Sequence, residues 1–218
     1  MSAPDFVARV GELDSLLAFY ASVPTEYRDD IQDVLLYAQL FASHLNDFQG
    51  QWHNWMHYYR DRLESHGFVR QNLVIKDAVL LSSVSDFETA SFRLASSVAS
   101  AEVSALVRGA VRWLGIRDMA TAYFRGGGFS ESRGSMQIVP CEMTNDGLPS
   151  VMLCALRVGV DHGSAGMRRL VLHFKGGSYR FEPQRYAARR ASVQGYLADK
   201  SHAVIRAFDP SELGLLAP

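Results

Sequence analysis

The segment that decides the predicted fold is Gln51–Tyr59, which has the sequence QWHNWMHYY. It carries two of the three tryptophans, two histidines four residues apart, and two tyrosines. Apolar residues recur at intervals of three and four on both sides of it, from Ile31 to Leu63, and no proline interrupts them. This spacing predicts one long helix over about residues 26–66, ended by Gly67. At 1.5 Å per residue the helix would be roughly 60 Å long, which is typical of bundle spines, coiled-coil arms and dimer elements.

A shorter helix is predicted over residues 5–21, where apolar residues again step by three and four. Pro24 breaks the chain after it, so we expect the two helices to fold back on each other as a hairpin. Residues 1–70 would then form a helical hairpin and residues 71–218 an α+β domain, with one continuous domain as the alternative.

The remaining chain predicts further helices and an antiparallel sheet. Two middle helices are expected over about 85–97 and 100–114, and one strand or a broken strand over about 73–81. Four strands in sequence are expected at 136–143, 151–160, 167–175 and 178–182, with turns at Asn145-Asp146-Gly147 and Gly176-Gly177. A last helix is expected over about 184–208. The fold class is therefore α+β: an N-terminal long helical hairpin, middle helices, an antiparallel sheet of about four strands and a C-terminal helix.

The histidines of the opening segment raise the question of a metal site. His53, His57 and Asp61 are spaced four residues apart, which places two imidazoles and a carboxylate on one face of the predicted helix. These groups are ligands for a transition metal such as zinc. The alternative is that they are boundary residues beside a buried aromatic row. We expect no cofactor, with a divalent metal as the only candidate.

Aromatic side chains of the same segment favour a contact surface for another chain. Trp52, Met56 and Tyr59 continue the buried stripe of the predicted helix, whereas Trp55 and Tyr58 lie beside it. Tryptophan and tyrosine are enriched at protein interfaces. Trp55 and Tyr58 are therefore predicted to bind a partner.

Charge is distributed unevenly along the chain. The formal net charge is −1, but residues 1–66 contain ten acidic residues and four arginines, whereas residues 151–206 contain ten basic residues and three acidic ones. Strand alternation predicts a core face formed by Met152, Cys154, Leu156, Val158, Leu170, Leu172, Phe174, Tyr179 and Phe181. The opposite, solvated face would carry the cations Arg157, Arg169, His173, Lys175 and Arg180. Such a face suits an acidic protein, this protein's own acidic helices, anionic lipid or nucleic acid, or it is simply solvated.

A glycine-rich segment is a candidate ligand loop. It contains Arg125, Gly126, Gly127, Gly128 and Arg133. Backbone N–H groups of such loops bind phosphate in other proteins. However, the segment lacks the Gly-Lys-Ser/Thr ending of a P-loop and the spacing of a dinucleotide-binding turn. A surface loop is the alternative.

Composition indicates a globular protein of the cytoplasm. The chain is 48% hydrophobic and 21% charged, and it has no apolar run near the ~20 residues that span a membrane. No signal peptide is evident, although export by another route stays open. Cys141 and Cys154 form neither a disulfide framework nor a zinc-ligand spacing, and we expect both as thiols.

These features favour a non-catalytic protein–protein interaction or assembly protein, such as an adaptor, subunit or chaperone-like partner, over an enzyme. Self-association or a stable complex is expected. The first alternative is a metal-dependent enzyme that uses His53, His57 and Asp61. The second is a module or effector that binds an anionic membrane or nucleic acid through the basic sheet face.

Overall fold

The computed structural model describes residues 6–10, 14–20, 22–86, 89, 116–128, 135–161, 169–198, 200 and 205–208. Its elements in chain order are the strands β1 (Phe6–Val10) and β2 (Asp14–Phe19), the helices α1 (Thr25–Leu45) and α2 (Trp52–Glu64), β3 (Phe68–Leu81), α3 (Ile116–Phe124), β4 (Ser135–Met143), β5 (Pro149–Asp161), β6 (Arg169–Phe181), α4 (Pro183–Leu197) and β7 (Ile205–Phe208). Helices combined with one mixed sheet confirm the α+β class.

The seven strands form one sheet in the order β3-β6-β5-β4-β2-β1-β7. All neighbouring strands are antiparallel except β2 and β4, which are parallel. The predicted hairpin at Asn145-Asp146-Gly147 joins β4 to β5, and Gly147 adopts φ 77°, which favours glycine in a tight turn. The prediction of about four antiparallel strands was incomplete because the sheet continues through β2, β1 and β7.

One face of the sheet packs against helices and forms the main core. Its sheet side includes Leu17, Val139, Val151 and Phe181, and the helices contribute the aromatic and aliphatic residues Leu35, Ala38, Trp52, Trp55, Met56, Tyr59, Leu63, Tyr186 and Val193. Phe68 and Tyr186 pack against Phe181, with ring centroids 5.3 and 6.0 Å away. Burial of this apolar surface, at about 25 cal/mol per Å², is the main force that holds helices and sheet together.

The predicted N-terminal helix over 5–21 was wrong, because these residues form β1 and β2. Leu16, Leu17, Ala18 and Phe19 are each no more than 1% exposed. A run buried on both faces is typical of an inner strand, and β2 lies between β1 and β4. The helical spacing of the neighbouring apolar residues concealed this run.

The predicted single helix over 26–66 was also wrong, because it is divided into α1 and α2. Asn46 is extended at φ −143°, ψ 140°. The Asp47 carboxylate then accepts hydrogen bonds from the backbone N–H of Gly50, at 2.6 Å, and of Gln49, at 3.4 Å. Such local bonds compete with helical ones, so the chain turns and α2 packs back on α1. Trp55 Nε1 donates to Ser43 Oγ across this contact at 3.0 Å.

The two strands predicted over 167–182 are the single strand β6. Gly176 and Gly177 lie in its middle, where a Cβ would collide with the carbonyl oxygens of Leu153 and Asn72 on the neighbouring strands. These glycines therefore permit close strand pairing and do not form a turn.

The predicted C-terminal helix over 184–208 is α4 alone, and Ile205–Phe208 instead pairs with β1 as an edge strand. Residues 84–86 are helical, at the start of the first predicted middle helix, but nearly all of the two middle helices lies outside the described residues. None of the described helices combines the length and the apolar character that a membrane span requires. Cys141 and Cys154 are buried free thiols whose alternation along β4 and β5 puts them on opposite sheet faces.

Candidate functional site

Three of the predicted surface cations meet on one patch of the sheet. On β5 and β6, Arg157 is the pairing partner of His173, and Lys175 is the next residue on the same face. His53 of α2 lies over this patch, with its ring centroid 6.2 Å from that of His173 and the two planes at 88°. We call His53, Arg157, His173 and Lys175 the cationic cluster.

The cluster lies on the face that α2 covers, which agrees with the alternative of a face packed against this protein's own helices and not with a plainly solvated face. In β6 the even-numbered residues are buried from Leu170 to Gly176 and the odd-numbered residues from Lys175 onward, so all residues from Phe174 to Gly177 are buried. Tyr179 and Phe181 therefore share a face with Lys175 and lie opposite to Phe174. Lys175 is only 8% exposed. The strand changes its buried side, which alternation within two separate strands did not predict.

The cluster borders a cavity of about 460 Å³ between α2 and the sheet. Its described lining consists of Gly50, Gln51, Trp52, His53, Asn54, Arg157, Gly159, Val160, Val171 and His173. No acidic residue is present among these lining residues. The cavity is therefore an open pocket of one charge sign, in which the field of the cations is concentrated.

The N-terminus of α2 forms one wall of the cavity. Its first helical hydrogen bond runs from the Trp55 N–H to the Gln51 carbonyl at 2.9 Å, so the N–H groups of Trp52, His53 and Asn54 precede the helical ladder. No side chain caps this end and its first turn has no acidic residue. The positive end of the helix dipole thus adds to the cationic cluster.

Burial, and then electrostatic repulsion between neighbouring cations, lowers the pKa of three members of the cluster. Burial lowers the pKa of His53, and the charges of Lys175 and Arg157 lower it further. The pKa of His173 is lowered by burial, and then by His53, Arg157 and Lys175. Burial, followed by the charge of Arg60, lowers the pKa of Lys175. Each group would bind its proton more tightly if an anion entered the cavity.

Two buried hydrogen-bond donors beside the cluster lack acceptors in the described structure. They are Trp52 Nε1, on a residue that lines the cavity, and Arg60 Nη1, on the arginine that acts on Lys175. Lys175 itself makes no hydrogen bond or ion pair within the described ranges. Buried donors are nearly always satisfied in folded proteins, so water or a bound group is expected to supply acceptors to these donors.

Next to the cluster, the layer between helices and sheet is polar. Gln137 Nε2 donates to the Tyr59 hydroxyl at 2.9 Å, and Gln39 Nε2 donates to Ser15 Oγ at 2.8 Å. All four residues are buried. Burial raises the pKa of the Tyr59 hydroxyl, which keeps it neutral as a hydrogen-bonding group. Gln137 pairs with Ala155, which in turn pairs with Lys175, so this polar row lies beside the cluster.

The three predicted metal ligands take different partners. His53 lies against His173, whereas His57 Nε2 lies 3.5 Å from Asp61 Oδ2 in a pair whose side chains are about 60% exposed. In the described part of the chain, no group of three or more His, Cys, Asp or Glu side chains could hold a metal ion.

The two aromatic residues predicted to bind a partner differ in burial. Trp55 is a core residue that bonds to Ser43 and lies 5.0 Å, between ring centroids, from Tyr59, so the prediction that it faces a partner was wrong. Helix periodicity cannot say which neighbouring stripe is covered when α1 packs on a second side of α2. Tyr58 is 40% exposed and remains a surface residue.

The remaining predicted cations lie outside the cluster. Arg180 is on the opposite sheet face from Lys175, where it pairs with Glu182 at 2.8 Å and with Asp146 at 3.7 Å. Arg169 lies at the start of β6, and its carbonyl accepts a 3.4 Å bond from the Tyr123 hydroxyl. Neither residue borders the cavity.

The predicted ligand loop follows the C-terminus of α3. The N–H groups of Arg125, Gly126 and Gly127 bond to carbonyls of the last helical turn at 2.8–3.1 Å, and Gly126 has φ 101°. These bonds are a helix cap, at the negative end of the helix dipole. Gly128 is exposed, and Arg133 lies outside the described residues.

Sequence reasoning missed the α2 N-terminus and the contribution of His53 to the cluster. The available signal was Asp47-Phe48-Gln49-Gly50, a turn-forming stretch that was treated as the interior of a helix. Comparisons with known proteins add no assignment: no family model, curated protein or solved structure matches this chain.

Proposed function

We propose that the protein is a non-catalytic binding protein that holds an anionic group of a partner protein in the cavity beside the N-terminus of α2. The observation that carries this proposal is the meeting of His53, Arg157 and His173 at a cavity without an acidic residue in its described lining. Lys175 lies behind them, buried and without a hydrogen-bonding partner in the described structure.

Without a bound anion, the cationic cluster is an energetically unfavourable arrangement. Burying an ammonium group near other cations is destabilising because lost hydration is not replaced by an opposite charge. An entering anion supplies that charge and accepts hydrogen bonds from the α2 N-terminus. Its binding energy therefore includes relief of this repulsion.

The volume of the cavity is suited to a single anionic group. A volume of about 460 Å³ is at the lower end of the range for small-molecule sites, and it is too small for a helix or a duplex. A single side chain or phosphate group presented by a partner fits this volume. The bipolar charge of the chain, with its acidic segment in residues 1–66, also favours a partner that is selected by charge.

The test measures, by fluorescence anisotropy, the binding of a labelled oligo-aspartate peptide to the full chain. Wild type should bind this peptide but not the matched oligo-asparagine peptide. The affinity should fall steeply between about 0.05 M and about 0.5 M salt, because screening shortens the range of the attraction.

Substitutions then assign the binding to the cavity. His173→Gln and Lys175→Met should each weaken binding at least fivefold, whereas Arg185→Gln should not change it, because Arg185 lies on α4 and pairs with Glu182. Equal binding of the two peptides, or equal loss in all three variants, would contradict the proposal.

A further inference from the structure

We propose that the group held in this cavity is a phosphate monoester, a dianionic oxyanion, and that its binding adds protons to His53 and His173. The inference rests on the proposed function and narrows it, since that function requires only some anionic group. Phosphate monoesters reach a protein either as small metabolites or on a phosphorylated side chain, and the same chemistry recognises both.

Donor number and arrangement favour a phosphoryl group over a carboxylate. Donors come from three elements: backbone N–H groups and His53 on α2, Arg157 on β5, and His173 on β6. A carboxylate has two oxygens in one plane, whereas a phosphoryl group has three terminal oxygens in a tetrahedral arrangement. The near-perpendicular rings of His53 and His173 suit donation to different oxygens.

Charge gives an independent argument for a dianion. Arg157 and Lys175 are cationic at neutral pH, while burial and repulsion hold the pKa values of both histidines below their ordinary range. A monoanion matches only one of these two positive charges. A dianion matches both, so each imidazole is expected to take up a proton as the ligand binds.

Among the described residues, the charged groups that act on the two histidines come from α2, β5 and β6. His173 faces His53 on α2, Arg157 on β5 and its own neighbour Lys175 on β6, and His53 faces the same set. Arg60 of α2 acts on Lys175. All of these groups are cationic or neutral, so lowering the pH through the histidine range makes the cavity more positive and strengthens dianion binding.

The test is isothermal titration calorimetry of the full chain with sulfate, inorganic phosphate and acetate, at about pH 6 and about pH 8. Sulfate stays dianionic across this interval, so any change in its affinity reports on the protein. Sulfate should bind at least about tenfold more tightly than acetate, and at least about tenfold more tightly at the lower pH. Titration in buffers of different ionisation enthalpy should show net proton uptake.

Variants separate the histidines from the rest of the site. The double substitution His53→Asn and His173→Gln should flatten the pH dependence of sulfate binding, whereas Lys175→Met should weaken binding similarly at both pH values. A phosphoserine peptide that binds more tightly than inorganic phosphate identifies a protein source. Equal affinity identifies a small-molecule source, which would support the phosphate site and contradict the proposed protein partner.

The two proposals fail differently. Acetate that binds as tightly as sulfate, or sulfate affinity independent of pH, would overturn the phosphate inference even if oligo-aspartate binds. If neither oligo-aspartate nor any of these anions binds, both proposals are wrong. Phosphate binding without oligo-aspartate binding would support the phosphate site and count against a general acidic partner.

Discussion

Replacing Lys175 with methionine should make the protein more stable and a weaker anion binder. Methionine has nearly the length of lysine without its charge, so it fills the same space beneath α2. Lys175 is 8% exposed and has no acceptor or carboxylate among the described residues. The substitution removes a buried charge whose desolvation is not compensated in the unliganded protein.

The size of the effect follows from the surroundings of the ammonium. Replacing a buried ion pair by apolar residues of similar volume is neutral or stabilises proteins by about 1–4 kcal/mol, and Lys175 lacks even the attraction of a paired carboxylate. Lys175 retains some exposure, so we expect about 2 kcal/mol, within that range. For a chain of this length, this corresponds to a rise in melting temperature of about 4–8 °C.

The pH dependence has a definite sign. Because the folded pKa of Lys175 is lowered, its destabilising effect is fully present below that folded pKa. The effect disappears as the pH rises above the unfolded value near 10.4. The advantage of Lys175→Met should therefore be large at neutral pH and should shrink in strongly alkaline solution.

The assay is urea denaturation of wild type and Lys175→Met, with and without sulfate. Lys200→Met is the matched control: Lys200 is exposed and its ammonium lies 3.7 Å from the Tyr196 ring centroid, so its loss should be neutral or destabilising by at most about 1 kcal/mol. Sulfate should stabilise wild type more than Lys175→Met. A Lys175→Met protein that is less stable than wild type without sulfate would refute the reasoning.

Three further predictions test the helix and strand packing that supports the site. Asp30→Ala should destabilise the fold by about 3 kcal/mol in urea denaturation, because buried Asp30 accepts two bonds from Arg190 that tie α1 to α4, one of them at 2.8 Å. Gly176→Ala should destabilise by more than about 2 kcal/mol, since its methyl group meets a carbonyl of β5, whereas Gly159→Ala has open space and should stay within about 0.5 kcal/mol. Trp55→Ala should destabilise by about 3–5 kcal/mol in thermal melts if Trp55 is core, and by much less if it is a partner surface.

The predictable part of the fold is where local signals and tertiary structure agree. The β4–β5 hairpin follows from two alternating runs around Asn145-Asp146-Gly147, whose turn geometry needs a residue such as Gly147. The start of α4 follows from Pro183 at its first turn. In both cases, the preferred conformation of a short segment is the one the fold uses.

The sequence-based predictions failed where the conformation or burial of a residue depends on its neighbours in the folded protein. Leu16–Phe19 is a strand because β1 and β4 bury it from both sides, and its helical spacing says nothing about those neighbours. Along β6, the buried face of the strand changes at about Lys175. The alternation of apolar residues in the first half of the strand therefore predicts the wrong buried face for the second half, and the reverse. The cationic cluster results from this change of buried face, because His173 and Lys175 lie on the face of β6 that α2 covers.

The most direct test of the anion site follows the histidine rings by NMR during a sulfate titration. The chain has seven histidines, and His53 and His173 can be assigned by substitution. Sulfate should raise the pKa of both rings, while His66, whose pKa is lowered by burial away from the cavity, should serve as an unchanged reference. Titration curves of His53 and His173 that are the same with and without sulfate would contradict the account.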